Sequence, residues 1–285
     1  ASMAVEHVNG GAADTGKSWS MGNQLTFTGG GELDNGMNVT LSFILDEADP
    51  TPGPFDSHSL AVSMDGLGTL KFHGEGGGSA VGDMDGSAAG GIWDNFQAAA
   101  NEPKSGKSSD DMITYALPEV MDGLALNTSY TPGGTGFGGE SSSVSWSATY
   151  TGVEGLTVAY GTGEDNSTAV EADATAWKVS YAYGPITVTA TDLEYDHGTD
   201  TSDRDMESQA ISYTISDELS VTYGVEEITD GSASSEKAEF ESISASYTSG
   251  GMTLTVSSQE GKNIDYSTTA TKDQERWAIS AAFAF

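Results

Sequence analysis

Arg276-Trp277-Ala278-Ile279-Ser280-Ala281-Ala282-Phe283-Ala284-Phe285 reads as a single β-strand. Trp277, Ile279, Ala281, Phe283 and Phe285 fall on one face, and Arg276, Ala278, Ser280, Ala282 and Ala284 on the other, because successive side chains of an extended backbone point to opposite sides. One face is oily and the other is small or polar. A helical backbone would scatter the same residues around its circumference, so the period of two selects a strand.

The same alternation recurs upstream. Met37, Val39, Leu41 and Phe43 alternate with Asn38, Thr40 and Ser42, while Trp177, Val179, Tyr181 and Tyr183 alternate with Lys178, Ser180 and Ala182. Leu219, Val221, Tyr223 and Val225 do so with Ser220, Thr222 and Gly224. Short connections such as Asp34-Asn35-Gly36, Asp65-Gly66, Asp122-Gly123 and Gly184-Pro185 carry the residues of tight hairpins. Between the hairpins lie longer, acidic, Gly- and Ser-rich segments at 46–57, 161–173, 196–206, 229–237 and 260–273. Strands are therefore expected near 1–8, 19–31, 37–46, 57–65, 67–75, 110–117, 124–132, 142–151, 155–163, 173–183, 186–195, 206–215, 219–228, 239–248, 252–260 and 274–285. That is about sixteen, an even number of the kind that lets an up-and-down sheet close on itself. No linker divides the chain, so residues 1–285 are expected to form one domain.

Composition removes several classes of function. Asp and Glu number 43 against 10 Lys and Arg, a formal net charge of -33, which excludes nucleic acid as an electrostatic partner. There is no cysteine, hence no disulfide framework, thiolate nucleophile or Cys-ligated zinc. No apolar run approaches the roughly 18 residues of a membrane-spanning helix. The opening Ala1-Ser2-Met3-Ala4-Val5 has no basic segment followed by an apolar core, so any signal peptide has been removed or was never present. Neither a G-x-S-x-G elbow, an H-E-x-x-H helix nor a phosphate loop with a trailing Lys occurs, and His7, His58, His73 and His197 are dispersed. No enzyme reading survives.

Two observations favour an all-β transmembrane barrel over a soluble sandwich. The polar face of the strands is mostly Ser, Thr, Ala and Gly, with charge concentrated in the connections; a sandwich exposes charged residues on its outer faces. Trp19, Tyr130, Tyr150, Tyr160, Tyr183, Tyr195, Tyr213, Tyr223, Tyr247, Trp277 and Phe285 gather toward strand ends, as in the aromatic girdles of a headgroup boundary. Aromatic strand propensity alone is the plainer explanation of the same residues. Closure follows from the solvent, because an open sheet edge in hydrocarbon leaves backbone groups unpaired at several kcal/mol each. About sixteen strands enclose water, whereas about eight fill with their own side chains.

With these residues in hand, the whole chain resembles the sixteen-stranded general porins of Gram-negative outer membranes, most closely the alphaproteobacterial kind. The carriers are the hairpin Gly31-Glu32-Leu33-Asp34-Asn35-Gly36-Met37-Asn38-Val39-Thr40-Leu41-Ser42-Phe43, the long connection 76–109, and the ending Ala281-Ala282-Phe283-Ala284-Phe285. The resemblance implies an integral outer-membrane protein in contact with lipid and lipopolysaccharide. It also implies a homotrimer and a passive, water-filled channel for small hydrophilic solutes. In that family a C-terminal aromatic looks like the signal read by the barrel-assembly machinery, a role that falls to Phe285 with Phe283. A third loop folded into the lumen would be residues 76–109, whose middle, Ile92-Trp93-Asp94-Asn95-Phe96, has apolar side chains with which to pack on an inner wall. The family's arginine cluster opposite that loop is in doubt, since Arg204 and Arg276 are the two arginines.

Strand alternation puts Lys71, His73, Lys178 and Arg276 on the lumen face, and the third loop brings Asp83, Asp85, Asp94 and Glu102. These eight are the candidate constriction, and the acidic excess predicts mild cation selectivity. Solvation of a wide wall is the plainer role for each. The acidic group Glu194, Asp196, Asp200, Asp203 and Asp205 offers the hard oxygens that calcium takes, so weak calcium binding is considered, without an EF-hand spacing; a solvated acidic surface explains it more simply. No other cofactor is expected. Two alternatives stay open: a substrate-specific outer-membrane channel, and a secreted or surface β-protein of adhesin or lectin type.

Overall fold

A computed structural model of the chain describes residues 2–9, 16–22, 24–46, 55–84, 87–96, 110–133, 142–166, 171–199, 202–232, 236–269 and 272–283. Alternating, β-branched and aromatic segments become strands throughout: β1 (Ser2–Asn9), β2 (Gly16–Gly22), β3 (Gln24–Glu32), β4 (Asn38–Asp46), β5 (Phe55–Met64), β6 (Gly68–Glu75), β7 (Met112–Ala116), β8 (Leu124–Thr131) and β9 (Ser143–Val153). They continue as β10 (Leu156–Asp165), β11 (Ala172–Tyr183), β12 (Ile186–His197), β13 (Arg204–Thr214), β14 (Leu219–Asp230), β15 (Ala238–Ser249), β16 (Met252–Lys262) and β17 (Gln274–Phe283). All pairings are antiparallel and, from β3 onward, each strand pairs with the next.

β1 meets the last strand, with Val5 opposite Ile279, and also meets β2, with Val5 opposite Trp19. The expected strand 19–31 is described as two strands, Gly16–Gly22 and Gln24–Glu32: β2 pairs with β1, whereas β3 pairs with β4. The structure thus has 17 strands where about sixteen were expected. The neighbours differ between β2 and β3 because strands of a barrel are tilted and staggered, and flanking strands need not overlap along their whole length. Elsewhere among the described residues the register shifts at Ile44/Leu45, His58/Ser59 and Leu156/Val158.

Burial is inverted relative to a soluble domain. Large apolar side chains lie outside and exposed, among them Leu41, Phe72, Trp146, Ile211 and Ile243. The buried cluster lies inside, where Val81, Ile92 and Phe96 of the long connection pack on Ala174, Ala176, Leu193, Met206, Ile228 and Phe240 of the wall. Tyr195, expected in an aromatic girdle, belongs to this inner cluster at 3% exposure. It stands directly across the ladder from inward Ala174 and Arg204, so parity turns it away from lipid. No helix is long and apolar enough to cross a membrane among the described residues.

Candidate functional site

The inner surface can be traced by register, because residues directly opposite in an antiparallel ladder share a face. Lys71 of β6 stands opposite Thr114, Thr114 opposite Ser129, and Ser129 opposite Ser145. The Ser129 hydroxyl accepts the Ala80 N–H at 3.0 Å and that of Ser145 accepts the Val81 N–H at 3.3 Å. Lys71 therefore shares the face on which the long connection docks. His73 is on the same side, its Nε2 at 3.1 Å from Thr114 Oγ1. Lys178 stands opposite Thr191, and Thr191 opposite Ser208, whose hydroxyl accepts the Ala89 N–H at 3.0 Å. Arg276 stands opposite Gln259, Gln259 opposite Ser242, and Ser242 opposite Gly224. All four basic side chains predicted for the lumen are thus on the inner face.

Arg276 does not stand alone there. Its Nε donates to Glu6 Oε2 at 3.1 Å and its Nη1 to Gln259 Oε1 at 2.7 Å, while Ser18 Oγ donates to Glu6 Oε1 at 3.0 Å. A planar guanidinium held by a carboxylate and an amide is fixed in direction, and its charge is largely balanced by Glu6. The sequence reading missed Glu6; its even position in the alternation of β1, beside Val5 and His7, was the available signal.

The long connection lies along the wall from β8 toward β15. Its first 3-10 turn, Gly82–Met84, touches β10 and β11, and its second, Ile92–Phe96, touches β14 to β17. Asp94 is exposed on the second turn. Asp83 lies in the first turn with its side chain outside the described residues, and Asp85 and Glu102 lie outside them altogether. The acidic half of the expected constriction is therefore represented by Asp94.

Glu226 of β14 is the docking residue absent from the sequence reading. It is 1% exposed. Its Oε1 accepts the Gly91 N–H at 2.9 Å and its Oε2 the Trp93 N–H at 3.1 Å, and the Ser87 hydroxyl also donates to Oε1. Ser87 Oγ is 2.9 Å from Ser208 Oγ as well. The close approach needs absent side chains: a Cβ on Gly224 would sit 2.6 Å from Ala89 Cβ, and one on Gly161 would sit 3.0 Å from Val81 Cα. The signal was legible, since Glu226 stands with Ser220, Thr222, Gly224 and Ile228 on an inner row whose other carboxylate, Asp230, lies at the strand's end.

Within the proposed calcium group, Asp205 lies close to Glu194 and Asp203. The Asp203 carboxylate accepts the His197 N–H at 2.8 Å, Asp196 and Asp205 lie on the outer face opposite Asp173 and Glu194, and Asp200 is outside the described residues. No three His, Asp or Glu side chains are placed to hold a metal ion among the described residues. Phe283 is exposed on the outer face opposite Met252, and Phe285 lies outside the described residues.

An oily exterior, a polar interior and an inner segment docked across half the wall define a transmembrane β-barrel with a narrowed lumen, the architecture of a passive pore. A model of the Gram-negative porins matches residues 1–284, and the chain belongs to that family. It is an integral outer-membrane channel and not an enzyme. Solved structures agree on the fold. The anion-selective porin from Comamonas acidovorans is similar at 13% identity and a TM-score of 0.72, over 99% of this chain and 97% of that one. A substituted porin of Rh. blastica gives 17% identity and a TM-score of 0.71, over 100% and 97%. The OmpT of Vibrio cholerae gives 14% identity and 0.69, over 100% and 95%. No curated protein sequence matches the chain.

Proposed function

We propose that this porin is a general diffusion channel for small hydrophilic solutes and ions with a mild preference for cations. The observation that carries the reading is the lumen itself: a wall of Ser, Thr, Ala and Gly with Lys71, Lys178 and a neutralised Arg276, narrowed by an arm that presents Asp94. Among the described residues such a wall offers no dense constellation of groups with which to bind one solute, so size and charge rank what passes. Cation preference comes from the field of the whole chain at a formal charge of -33, which raises cation concentration at the mouths. The Glu6–Arg276 pairing supports it by removing one cation from the opposing side.

A reversal potential measured across a planar bilayer under a KCl gradient tests this. A potential on the potassium side at low salt, shrinking as salt screens the field, is the expected outcome; chloride preference would overturn the cation reading. Liposome swelling with sugars and amino acids of matched size tests the general pore, which ranks them by size alone.

The expected homotrimer and lipid contacts belong to the same reading. Among the described side chains, the outward rows of β3 to β9, such as Leu41, Leu60, Phe72, Leu126 and Trp146, carry a carboxylate only in Glu75, which stands opposite His58, whereas those of β10 to β17 carry many. The nearly uncharged side suits contact with other copies, and the acidic side faces headgroups with cations between. Chemical crosslinking in micelles that stops at three copies is the expected result, and an unlinked monomer is the contrary one.

A further inference from the structure

We infer that Glu226 is the positioning residue that fixes the lumen arm Ser87–Phe96, and that its carboxylate thereby sets the aperture; the inference rests on the channel reading above. The arm has few other polar anchors at its tip. Two backbone N–H groups, of Gly91 and Trp93, and the Ser87 hydroxyl converge on this one carboxylate, and Ala89 N–H goes to Ser208 beside it. A turn of 3-10 helix begins at Ile92, so Gly91 and Trp93 present N–H groups that the turn itself leaves unpaired. An ionised carboxylate is the acceptor that holds several such donors at once.

The surrounding surface is shaped for this contact. Gly224, one turn of the alternation below Glu226, has no room for a side chain against Ala89. Beyond the carboxylate, Ile92 and Phe96 are buried, Phe96 lying 5.8 Å from the Phe240 ring on β15. Apolar packing holds the arm against the wall but is non-directional; the hydrogen bonds to Glu226 choose its register. Without them the arm keeps its affinity for the wall and loses its unique position, so the opening samples several widths.

The proposal is tested by single-channel recording of Glu226→Ala, after heat-modifiable gel migration shows that the barrel has assembled. The parent is expected to conduct at one steady level and Glu226→Ala to flicker among several, with loss of the parent's size exclusion in liposome swelling. The cysteine-free sequence permits a second arm: Ser87→Cys with Ser208→Cys, at positions whose hydroxyl oxygens are 2.9 Å apart, tethers the arm to the wall. In the Glu226→Ala background oxidation of that pair is expected to restore one level, and reduction to release it. Should Glu226→Ala fail to assemble, the isosteric Glu226→Gln carries the same recording, since an amide cannot accept all three donors without turning its NH2 toward one of them. A steady parental level in an assembled variant, or flicker that persists in the tethered form, overturns the role of Glu226. A parent that forms no channel overturns the pore reading instead.

Discussion

Arg276 illustrates how one partner decides what a lumen charge does. With Glu6 and Gln259 holding its guanidinium, the pair contributes little net field to the conduction path. Glu6→Gln removes the countercharge while arginine stays protonated at any working pH, so a bare cation is returned to the wall. The reversal potential in a KCl gradient is expected to move toward chloride; an unmoved potential would show that Arg276 lies outside the path of the ions. Gly68 shows a different kind of single-position control. It opens β6 at φ +90, and a Cβ there would lie 2.2 Å from the Ala116 carbonyl oxygen. Gly68→Ala therefore combines a disfavoured backbone with a collision, at a cost of about 1–3 kcal/mol, and a lowered urea midpoint in micelles is the expected reading.

The strands themselves rest on which face meets which solvent, and neighbouring positions in β15 separate the two. Ile243 is 54% exposed and points outward between Tyr223 and Ser258, whereas Ser244 points inward opposite Thr222 and Ser257. Ile243→Lys is expected to destabilise the refolded barrel in phospholipid vesicles by about 2–4 kcal/mol, the cost of a basic side chain near the bilayer midplane. Ser244→Lys, one residue on, is expected to be tolerated because its ammonium stays in water. Equal effects would remove the assignment of faces. Period-two alternation made these strands legible in the sequence to within a few residues, as in β12 at Ile186–His197 against an expected 186–195. Local pattern could not show the change of neighbours within 16–32, which depends on the stagger of the whole ring. The inward side of Tyr195 was carried by parity, opposite to Ile186 and Val188, but its place near a strand end suggested a girdle instead. The lumen bases Lys71, His73, Lys178 and Arg276 followed from parity, while the grip of Glu226 on backbone N–H groups far away in sequence left no local mark except a carboxylate among small residues.

Charge is distributed over the closed barrel unevenly, and the unevenness has an energetic consequence. Carboxylates face each other directly across the outward ladder at Glu164 and Asp173, Asp173 and Asp196, Glu194 and Asp205, Asp192 and Glu207, Glu207 and Glu227, Glu241 and Glu260, and Glu260 and Glu275. Lys237 at 2.8 Å from Glu227 and Lys262 at 3.2 Å from Glu260 offset only part of this, and such exposed ion pairs contribute little each. Like charges directly opposite destabilise a ladder, by a few tenths of a kcal/mol to about 1 kcal/mol when favourable pairs set the scale. They also share one side of the ring, so their fields add. Screening should relieve the strain, because the Debye length falls from about 30 Å at 0.01 M to about 8 Å at 0.15 M ionic strength. The unfolding temperature in an uncharged detergent is therefore expected to rise over that range of NaCl. Glu207→Gln, which breaks two of the facing pairs at once, is expected to raise the low-salt value and flatten the dependence. A melting temperature indifferent to salt in the parent would mean that these carboxylates already hold counterions tightly enough to be neutral toward one another.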